Sequence, residues 1–211
     1  MTPVLDATLR VLLAYLLGSV LGSMIVGRLR GGVDIRTLGS GNAGGTNALR
    51  TQGKMFGIVV LLIDFIKGWV AAAWLATVAA PESPIREWLP ALCATAVVIG
   101  HVYPVWFGFR GGKGIATGAG AIVGLHAVLI VPALLVWLAV LVLSGYVGLS
   151  SICAALALVA ATLLLQPEPF APSLAFTCVA AVFVTYTHRG NIRRMCSGTE
   201  SRVRRFSRGA S

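Results

Sequence analysis

Long apolar segments alternate with short polar stretches along the whole chain. The apolar segments predict seven helices, at residues 4–29, 56–78, 89–102, 115–126, 129–146, 151–165 and 172–187. A helix that crosses a bilayer needs about 20 apolar residues, so several of these segments are short by themselves. Pro132 lies near the junction of the fourth and fifth segments and favours two helices there, with one broken span as the alternative. The pattern predicts an all-α integral membrane protein, a polytopic bundle of about seven transmembrane helices.

The composition excludes an ordinary soluble domain. Hydrophobic residues make up 57% of the 211 residues, charged residues make up 11%, and the mean hydropathy is +0.86. A net charge of +10 would suggest nucleic acid as the partner of a soluble protein. Here the basic residues fall mostly in loops between apolar segments. We therefore expect membrane lipid and small anionic molecules as partners, and not nucleic acid.

The basic residues also predict the orientation of the chain. Of the 17 Lys and Arg residues, 14 lie at the end of the first predicted helix or in the stretches that follow the first, third and seventh predicted helices. Because cytoplasmic loops hold the excess of positive charge, the N-terminus is expected outside and the C-terminus in the cytoplasm. If the fourth and fifth helices were one span, the basic tail would lie on the opposite side of the membrane from the other two basic regions. We expect one transmembrane domain at residues 1–200 and a basic, disordered cytoplasmic tail at residues 201–211, which is attracted to anionic lipid.

Three polar, glycine-rich stretches interrupt the apolar chain, and the first covers residues 39–47. Its spacing G-x-G-x-x-G would mark a dinucleotide site after a strand, but no βαβ unit can be built here. The glycines still allow backbone N–H groups to turn toward an anion, and short polar side chains add donors. A tight polar turn without a ligand is the alternative. The candidate residues are Gly39, Ser40, Gly41, Asn42, Gly44, Thr46, Asn47 and Arg50.

The second stretch, residues 108–114, imitates a phosphate-binding loop of nucleotide hydrolases. That pattern would need glycine at position 107 and Ser or Thr at position 114, where this chain has Phe107 and Gly114. We therefore do not predict nucleotide hydrolysis. Lys113 stands among Gly111, Gly112 and Gly114, just before a predicted helix whose N-terminal dipole favours an anion.

The third stretch, residues 188–194, contains His188 and Asn191. On a continuing helix these two residues would share a face. The histidine could hold a phosphate or act as a general base, and a simple interfacial histidine is the alternative. Ser151 lies at a fourth polar junction and is added to the candidate site.

Asp64 and Lys67 lie well inside the second predicted helix, three residues apart. Charges at such a position are costly unless they are paired or functional. The first interpretation is a neutralising ion pair that positions the first glycine-rich stretch. A proton or ion path is the second.

Together these residues resemble the bacterial membrane glycerol-3-phosphate acyltransferases that use acyl-phosphate as donor, the PlsY family. The family pattern G-S-G-N-x-G-x-T-N is matched at residues 39–47. The pattern G-H-x-x-P-x-x-x-x-F-x-G-G-K-G-V-A-T is matched at residues 100–117, with Ile115 in place of valine. The pattern H-R-x-N-I-x-R-L with a later G-x-E is matched at residues 188–200, with Met195 in place of leucine. The resemblance covers almost the whole chain.

The resemblance implies transfer of a fatty acyl group from acyl-phosphate to the sn-1 hydroxyl of glycerol 3-phosphate, giving lysophosphatidate and inorganic phosphate. The expected partners are these two substrates and membrane lipid, without a cofactor or a metal. A monomer is the working expectation, and the location is the bacterial cytoplasmic membrane. The catalytic candidates are Ser40, Asn42, Lys113, His188 and Asn191, and the substrate-binding candidates are Gly39, Gly41, Gly44, Thr46, Asn47, Arg50, Gly111, Gly112, Gly114 and Ser151. The base is His188 or a phosphate oxygen of the substrates.

Two other classes of function remain open from the residues. A transporter of phosphorylated metabolites would use Asp64 and Lys67 near the bilayer midplane. A non-catalytic module that binds a lipid surface would need only the basic tail. The concentration of polar residues in three stretches at one predicted membrane face favours the acyltransferase.

Overall fold

The computed structural model describes residues 2–76, 85–165, 168 and 170–203. These residues form helices joined by turns. Ten α-helices are present among them: α1 Pro3–Ser19, α2 Gly22–Leu29, α3 Gly45–Gln52, α4 Lys54–Trp69, α5 Leu89–Val102, α6 Ile115–His126, α7 Ile130–Ser144, α8 Val147–Leu165, α9 Phe170–Thr187 and α10 Arg189–Cys196. A π-helical segment, Val70–Leu75, continues α4. The all-α prediction is confirmed for the described part of the chain.

Five of the described helical segments are long and apolar enough to cross a membrane, and a sixth is added if the bent pair of α1 and α2 counts as one span. The five are Lys54–Leu75, Leu89–Phe107, Ile115–Ser144, Val147–Leu165 and Phe170–Thr187. The axes of α1 and α2 differ by 44°. The predicted count of seven spans is therefore not confirmed, and the sides on which the termini lie stay a prediction.

The difference in the count arises at the fourth and fifth predicted helices. They form one helical segment, Ile115–Ser144, with a 3₁₀ turn at Ala127–Leu129. Pro132 does not separate them, because it lies in the first turn of α7, where its missing N–H needs no partner. The end of the predicted helix 56–78, at residues 77 and 78, lies outside the described residues.

The helices group into two compact units, Met1–Ala127 and Val128–Ser211. In the first unit, α1 packs on α5, α4 packs on α6, and α2 and α3 pack on α4. In the second unit, α7, α8 and α9 pack in chain order, and α10 contacts α8 and α9.

Glycines bring helix backbones of the first unit into direct contact. A Cβ atom at Gly68 of α4 would overlap the carbonyl oxygen of Thr117 on α6, and one at Gly120 would overlap the carbonyl oxygen of Phe65. Gly18 of α1 meets the backbone of Val97 on α5 in the same way. Small residues thus let these helices approach closely, as is common between helices in membranes.

An apolar cluster holds the chain between α2 and α4 in place. Ile35, Ala48, Phe56 and Val60 are buried in it. Ile35 lies in the connection after α2, whereas the other three belong to α3 and α4. The cluster therefore packs the connection that leads to the first glycine-rich stretch against the helices that follow it.

We predict that Gly120→Ala destabilises the protein, because the added methyl group overlaps the backbone of α4. Overpacking of this kind costs about 1–3 kcal/mol. Thermal unfolding of the purified protein in detergent, followed by tryptophan fluorescence, would show a lower midpoint than the wild type.

Gly118→Ala is the matched control on the same helix. A Cβ atom there would lie 3.9 Å from the nearest atom, a methyl group of Val98, which is an ordinary contact. Its midpoint should equal or exceed that of the wild type, since alanine favours helix more than glycine does. Equal midpoints for Gly120→Ala and Gly118→Ala would contradict the packing argument.

Candidate active site

The first loop, residues 39–47, is organised by the side chain of Asn47. Its Nδ2 lies 3.0 Å from each of the carbonyl oxygens of Ile35, Leu38 and Asn42. Its Oδ1 accepts a hydrogen bond from the backbone N–H of Ser40 at 3.0 Å. Asn47 is 3% exposed. The amide therefore closes the loop onto itself, and the predicted contact of Asn47 with substrate stays a prediction.

The first loop ends at the N-terminus of α3. Gly39 and Gly41 have φ angles of 56° and 70°, which favour glycine. Asn42 Oδ1 accepts a hydrogen bond from the N–H of Gly44 at 2.9 Å. Gly44 caps α3 without a side-chain hydrogen bond, so the N–H groups of the first turn face the loop.

Three of the predicted polar residues around this turn are exposed. They are Ser40, Thr46 and Arg50. The hydroxyls of Ser40 and Thr46 flank a helix N-terminus whose dipole favours an anion, and Arg50 follows one turn later. This is the arrangement that the sequence predicts for a phosphate-binding loop.

The second loop, residues 108–114, folds back on the end of α5. The N–H of Gly111 donates to the carbonyl oxygen of Val102 at 3.1 Å, and the N–H of Gly112 donates to that of His101 at 3.1 Å. Gly114 has a φ of 80° and caps α6. Lys113 is half-buried and lies two residues before α6 begins. The loop therefore places Lys113 in the chain directly before a helix N-terminus.

The first and second loops are joined to each other within the first unit. The N–H of Ala43 donates to the carbonyl oxygen of Gly111 at 3.4 Å. Arg36 Nη1 lies 3.1 Å from the carbonyl oxygen of Phe107 and 3.3 Å from that of Arg110. Two of the three glycine-rich stretches are therefore brought together.

Asp34 holds Arg36 in this bridging position. Arg36 Nη2 lies 2.7 Å from Asp34 Oδ2. Hydrogen bonds from the Arg36 guanidinium hold the pKa of Asp34 below its usual value, so the carboxylate stays charged at neutral pH. Sequence reasoning missed this pair, and the only signal was an acidic and a basic residue, two positions apart, just before the first loop.

Behind the second loop lies a buried cluster made of Asp64, Lys67 and His101. Lys67 Nζ lies 2.9 Å from Asp64 Oδ1 and 2.9 Å from His101 Nδ1. Asp64 is 1% exposed and Lys67 is 4% exposed. The predicted pairing of Asp64 with Lys67 is confirmed. His101 was not expected as a third member, because its partners lie on another helix.

The third stretch lies in the second unit, and its helix does not continue through His188. α9 ends at Thr187 and α10 begins at Arg189, with His188 as the cap of α10. The continuing helix on which His188 and Asn191 would share a face is therefore interrupted at His188, although the N–H of Ile192 still donates to the His188 carbonyl oxygen at 2.9 Å. The break occurs because the His188 backbone leaves the helical range, with φ −96° and ψ 8°.

His188 and Asn191, the two predicted polar residues of the third stretch, are buried, and each makes a hydrogen bond with a neighbouring group. His188 Nδ1 lies 2.8 Å from the carbonyl oxygen of Val184. Asn191 Nδ2 donates to Glu200 Oε1 at 2.6 Å, and Glu200 also accepts from Arg194. Glu200 thus orients Asn191, a role that the sequence showed only as part of a motif.

The polar junction at the start of α8 belongs to the same unit. Ser151 Oγ donates to the carbonyl oxygen of Val147 at 2.9 Å and accepts from Trp137 Nε1 at 3.3 Å. The N–H of Val203 donates to the carbonyl oxygen of Gly145 at 2.8 Å. The first three residues of the predicted tail, 201–203, therefore reach this junction, and residues 204–211 lie outside the described residues.

The predicted site residues fall into two sets. Those of the first and second loops belong to the first unit, whereas Ser151, His188 and Asn191 belong to the second. Their convergence on one pocket stays a prediction.

Comparison with known proteins identifies the family. The family profile described as Glycerol-3-phosphate acyltransferase matches residues 8–198. A glycerol-3-phosphate acyltransferase of Synechococcus sp. (strain CC9902) is 38% identical over 199 residues, which cover 94% of this chain and 96% of the relative. That of Aquifex aeolicus (strain VF5) is 37% identical, covering 94% and 100%. That of Chromobacterium violaceum is 42% identical over 196 residues, covering 92% and 93%.

Two solved structures are similar along nearly the whole chain. Both are of PlsY (YgiH), an integral membrane glycerol 3-phosphate acyltransferase, and both are 36% identical to this chain. The glycerol 3-phosphate form has a TM-score of 0.82 and covers 94% of this chain and 96% of that one. The lysophosphatidic acid form has a TM-score of 0.81 and covers 94% and 95%. The resemblance carried by the three motifs is confirmed, and this chain belongs to the glycerol-3-phosphate acyltransferase family.

Proposed function

We propose that this acyltransferase moves a fatty acyl group from acyl-phosphate to the sn-1 hydroxyl of glycerol 3-phosphate. The products are lysophosphatidate and inorganic phosphate. The observation that carries the proposal is the junction of the two glycine-rich loops, through Ala43 to Gly111 and through Arg36. This junction holds together two loops that each lead into a helix N-terminus. Of the two phosphate-binding candidates, Lys113 lies on the second loop and Arg50 lies in α3, directly after the first.

The charge of the substrates explains why such loops are needed. Donor, acceptor and leaving group all carry phosphate, so the site must hold several negative charges close together. Arg50 and Lys113 supply positive charge, and the N–H groups at the start of α3 and α6 supply oriented dipoles. The loops keep these groups in place before the reaction, so little reorganisation is required when charge develops.

The chemistry can proceed in one displacement. The sn-1 hydroxyl oxygen attacks the acyl carbonyl carbon, a tetrahedral oxyanion forms, and the bond from carbon to the phosphate oxygen breaks to release inorganic phosphate. Acyl-phosphate is a mixed anhydride with a good leaving group, so an acyl-enzyme is not required. Ser40 and Asn42 are the proposed donors to the oxyanion or to the leaving group.

The proton of the attacking hydroxyl needs an acceptor. His188 Nδ1 faces a carbonyl oxygen, which can only accept, so this nitrogen carries the hydrogen. In the neutral ring Nε2 then has the lone pair that a general base needs. A phosphate oxygen of the substrates is the other candidate acceptor.

The solved relatives support the acceptor and the product. Their forms with glycerol 3-phosphate and with lysophosphatidic acid name the acceptor and the product that we propose for this chain. We further propose a monomer in the bacterial cytoplasmic membrane, with the loops facing the cytoplasm, because the loops lie in the basic part of the sequence.

We expect purified protein in lipid to convert acyl-phosphate and labelled glycerol 3-phosphate into lysophosphatidate and inorganic phosphate in equal amounts, without nucleotide. Thin-layer separation of the labelled lipid and a phosphate assay measure both products. Activity with acyl-CoA but not with acyl-phosphate would overturn the proposed donor. Movement of label into sealed vesicles without product would instead favour a transporter.

Arg50→Ala and Lys113→Ala should each lower kcat/KM by about 10²–10³, the loss typical when one charge-stabilising donor is removed. Steady-state assays with both substrates varied measure this loss.

Lys54→Ala is the matched control, since Lys54 is an exposed basic residue at the start of α4. It should keep wild-type activity. Full activity of Lys113→Ala in correctly inserted protein would remove that residue from the proposed site.

A further inference from the structure

We propose that the buried cluster of Asp64, Lys67 and His101 positions the second loop, and through it Lys113. The proposal rests on the proposed function only in taking Lys113 as a phosphate-binding residue. Asp64, Lys67 and His101 are positioning residues in this scheme, because they act on the reaction through the loop.

The hydrogen bonds of the cluster determine which nitrogen of His101 faces the loop. Lys67 is an ammonium group and can only donate, so His101 Nδ1, at 2.9 Å, must accept. The hydrogen of the neutral ring is then on Nε2. Asp64 Oδ1 lies farther from Nδ1, at 3.5 Å. The cluster therefore holds the ring with Nε2 turned away from Lys67.

The second loop packs directly against the Nε2 side of the His101 ring. A Cβ atom at Gly112 would overlap His101 Nε2, and one at Gly111 would overlap the His101 carbonyl oxygen. Both residues also donate their N–H groups to the end of α5. No side chain fits between the ring and the loop, so the position of the ring determines the path of the backbone one residue before Lys113.

The ring itself cannot shift easily, because the cluster is anchored in the break between α1 and α2. Lys67 Nζ donates to the carbonyl oxygen of Gly18 at 3.0 Å and to that of Val20 at 2.7 Å. Asp64 Oδ1 accepts from the N–H of Gly22 at 3.2 Å. Moving His101 would uncouple buried charges from these partners, which is costly in an apolar interior.

A double-mutant cycle between His101 and Gly112 tests the contact. His101→Asn keeps an acceptor near the Nδ1 position and removes the atoms that face Gly112. Gly112→Ala adds the methyl group that the ring excludes. Each single variant should raise the KM for the same phosphate-bearing substrate about tenfold, with the other KM and kcat changed less, since both variants disturb the same contact.

The double variant should be non-additive. The shorter side chain of His101→Asn leaves room for the methyl group. In that background Gly112→Ala should therefore raise the KM by less than about twofold. In a Thr95→Val background, Gly112→Ala should raise this KM by the same factor as it does in the wild type. Thr95 lies on the same helix and donates only to the carbonyl oxygen of Ala91.

Hydrogen exchange supplies a readout that does not depend on activity. His101→Asn should speed exchange of the Gly111 and Gly112 amides, while Thr95→Val should leave the exchange of both amides unchanged. If His101→Asn does not insert, His101→Gln replaces it. The longer glutamine side chain has no acceptor at the Nδ1 position for Lys67, so this variant should also speed exchange in the second loop.

Additive effects on KM in an active enzyme, or unchanged exchange in the second loop, would overturn the positioning role. An inactive wild type would count against the proposed function alone, because the exchange measurement still decides whether the cluster holds the loop. A fall in kcat with both KM values unchanged would also overturn the proposal, since it would indicate general damage to the structure.

Discussion

The buried ammonium group of Lys67 is the interaction on which the first unit depends. It meets the carbonyl oxygens at the end of α1, where the helix breaks and backbone groups lose their partners. Lipid offers no replacement for these hydrogen bonds. Asp64 balances the charge and satisfies the start of α2. The bend between α1 and α2 is therefore stabilised by two charged side chains of α4.

Glycine lets the backbones around this cluster approach closely. Gly68 follows Lys67 directly and meets α6, while Gly18 lies beside Val97 of α5. Small residues drive helix contact in membranes, where the apolar effect between helices is weak. Lys67 itself contacts α1 at Gly18 and α5 at His101. Packing and charge pairing thus support one scaffold, from which the two loops of the first unit extend.

Within the loops, polar side chains divide into those that hold the backbone and those that face outward. Asn47 and Arg36 donate hydrogen bonds to backbone carbonyl groups in the loops and directly beside them. Ser40 and Thr46 remain exposed beside the start of α3. A loop without regular structure needs such internal bonds, because backbone groups without partners are costly. Preorganised loops of this kind suit a reaction that must hold several phosphate charges.

The sequence by itself determined the all-helical class, the family and the loops of the candidate site. Apolar runs and glycine spacing are local properties, so they could be recognised without coordinates. The pair of Asp64 and Lys67 could also be predicted, because side chains three positions apart on a helix lie next to each other. The tertiary structure decided what lies far apart in the chain. His101 joins that pair and Arg36 bridges two loops, because each contact depends on neighbours that only the folded chain supplies.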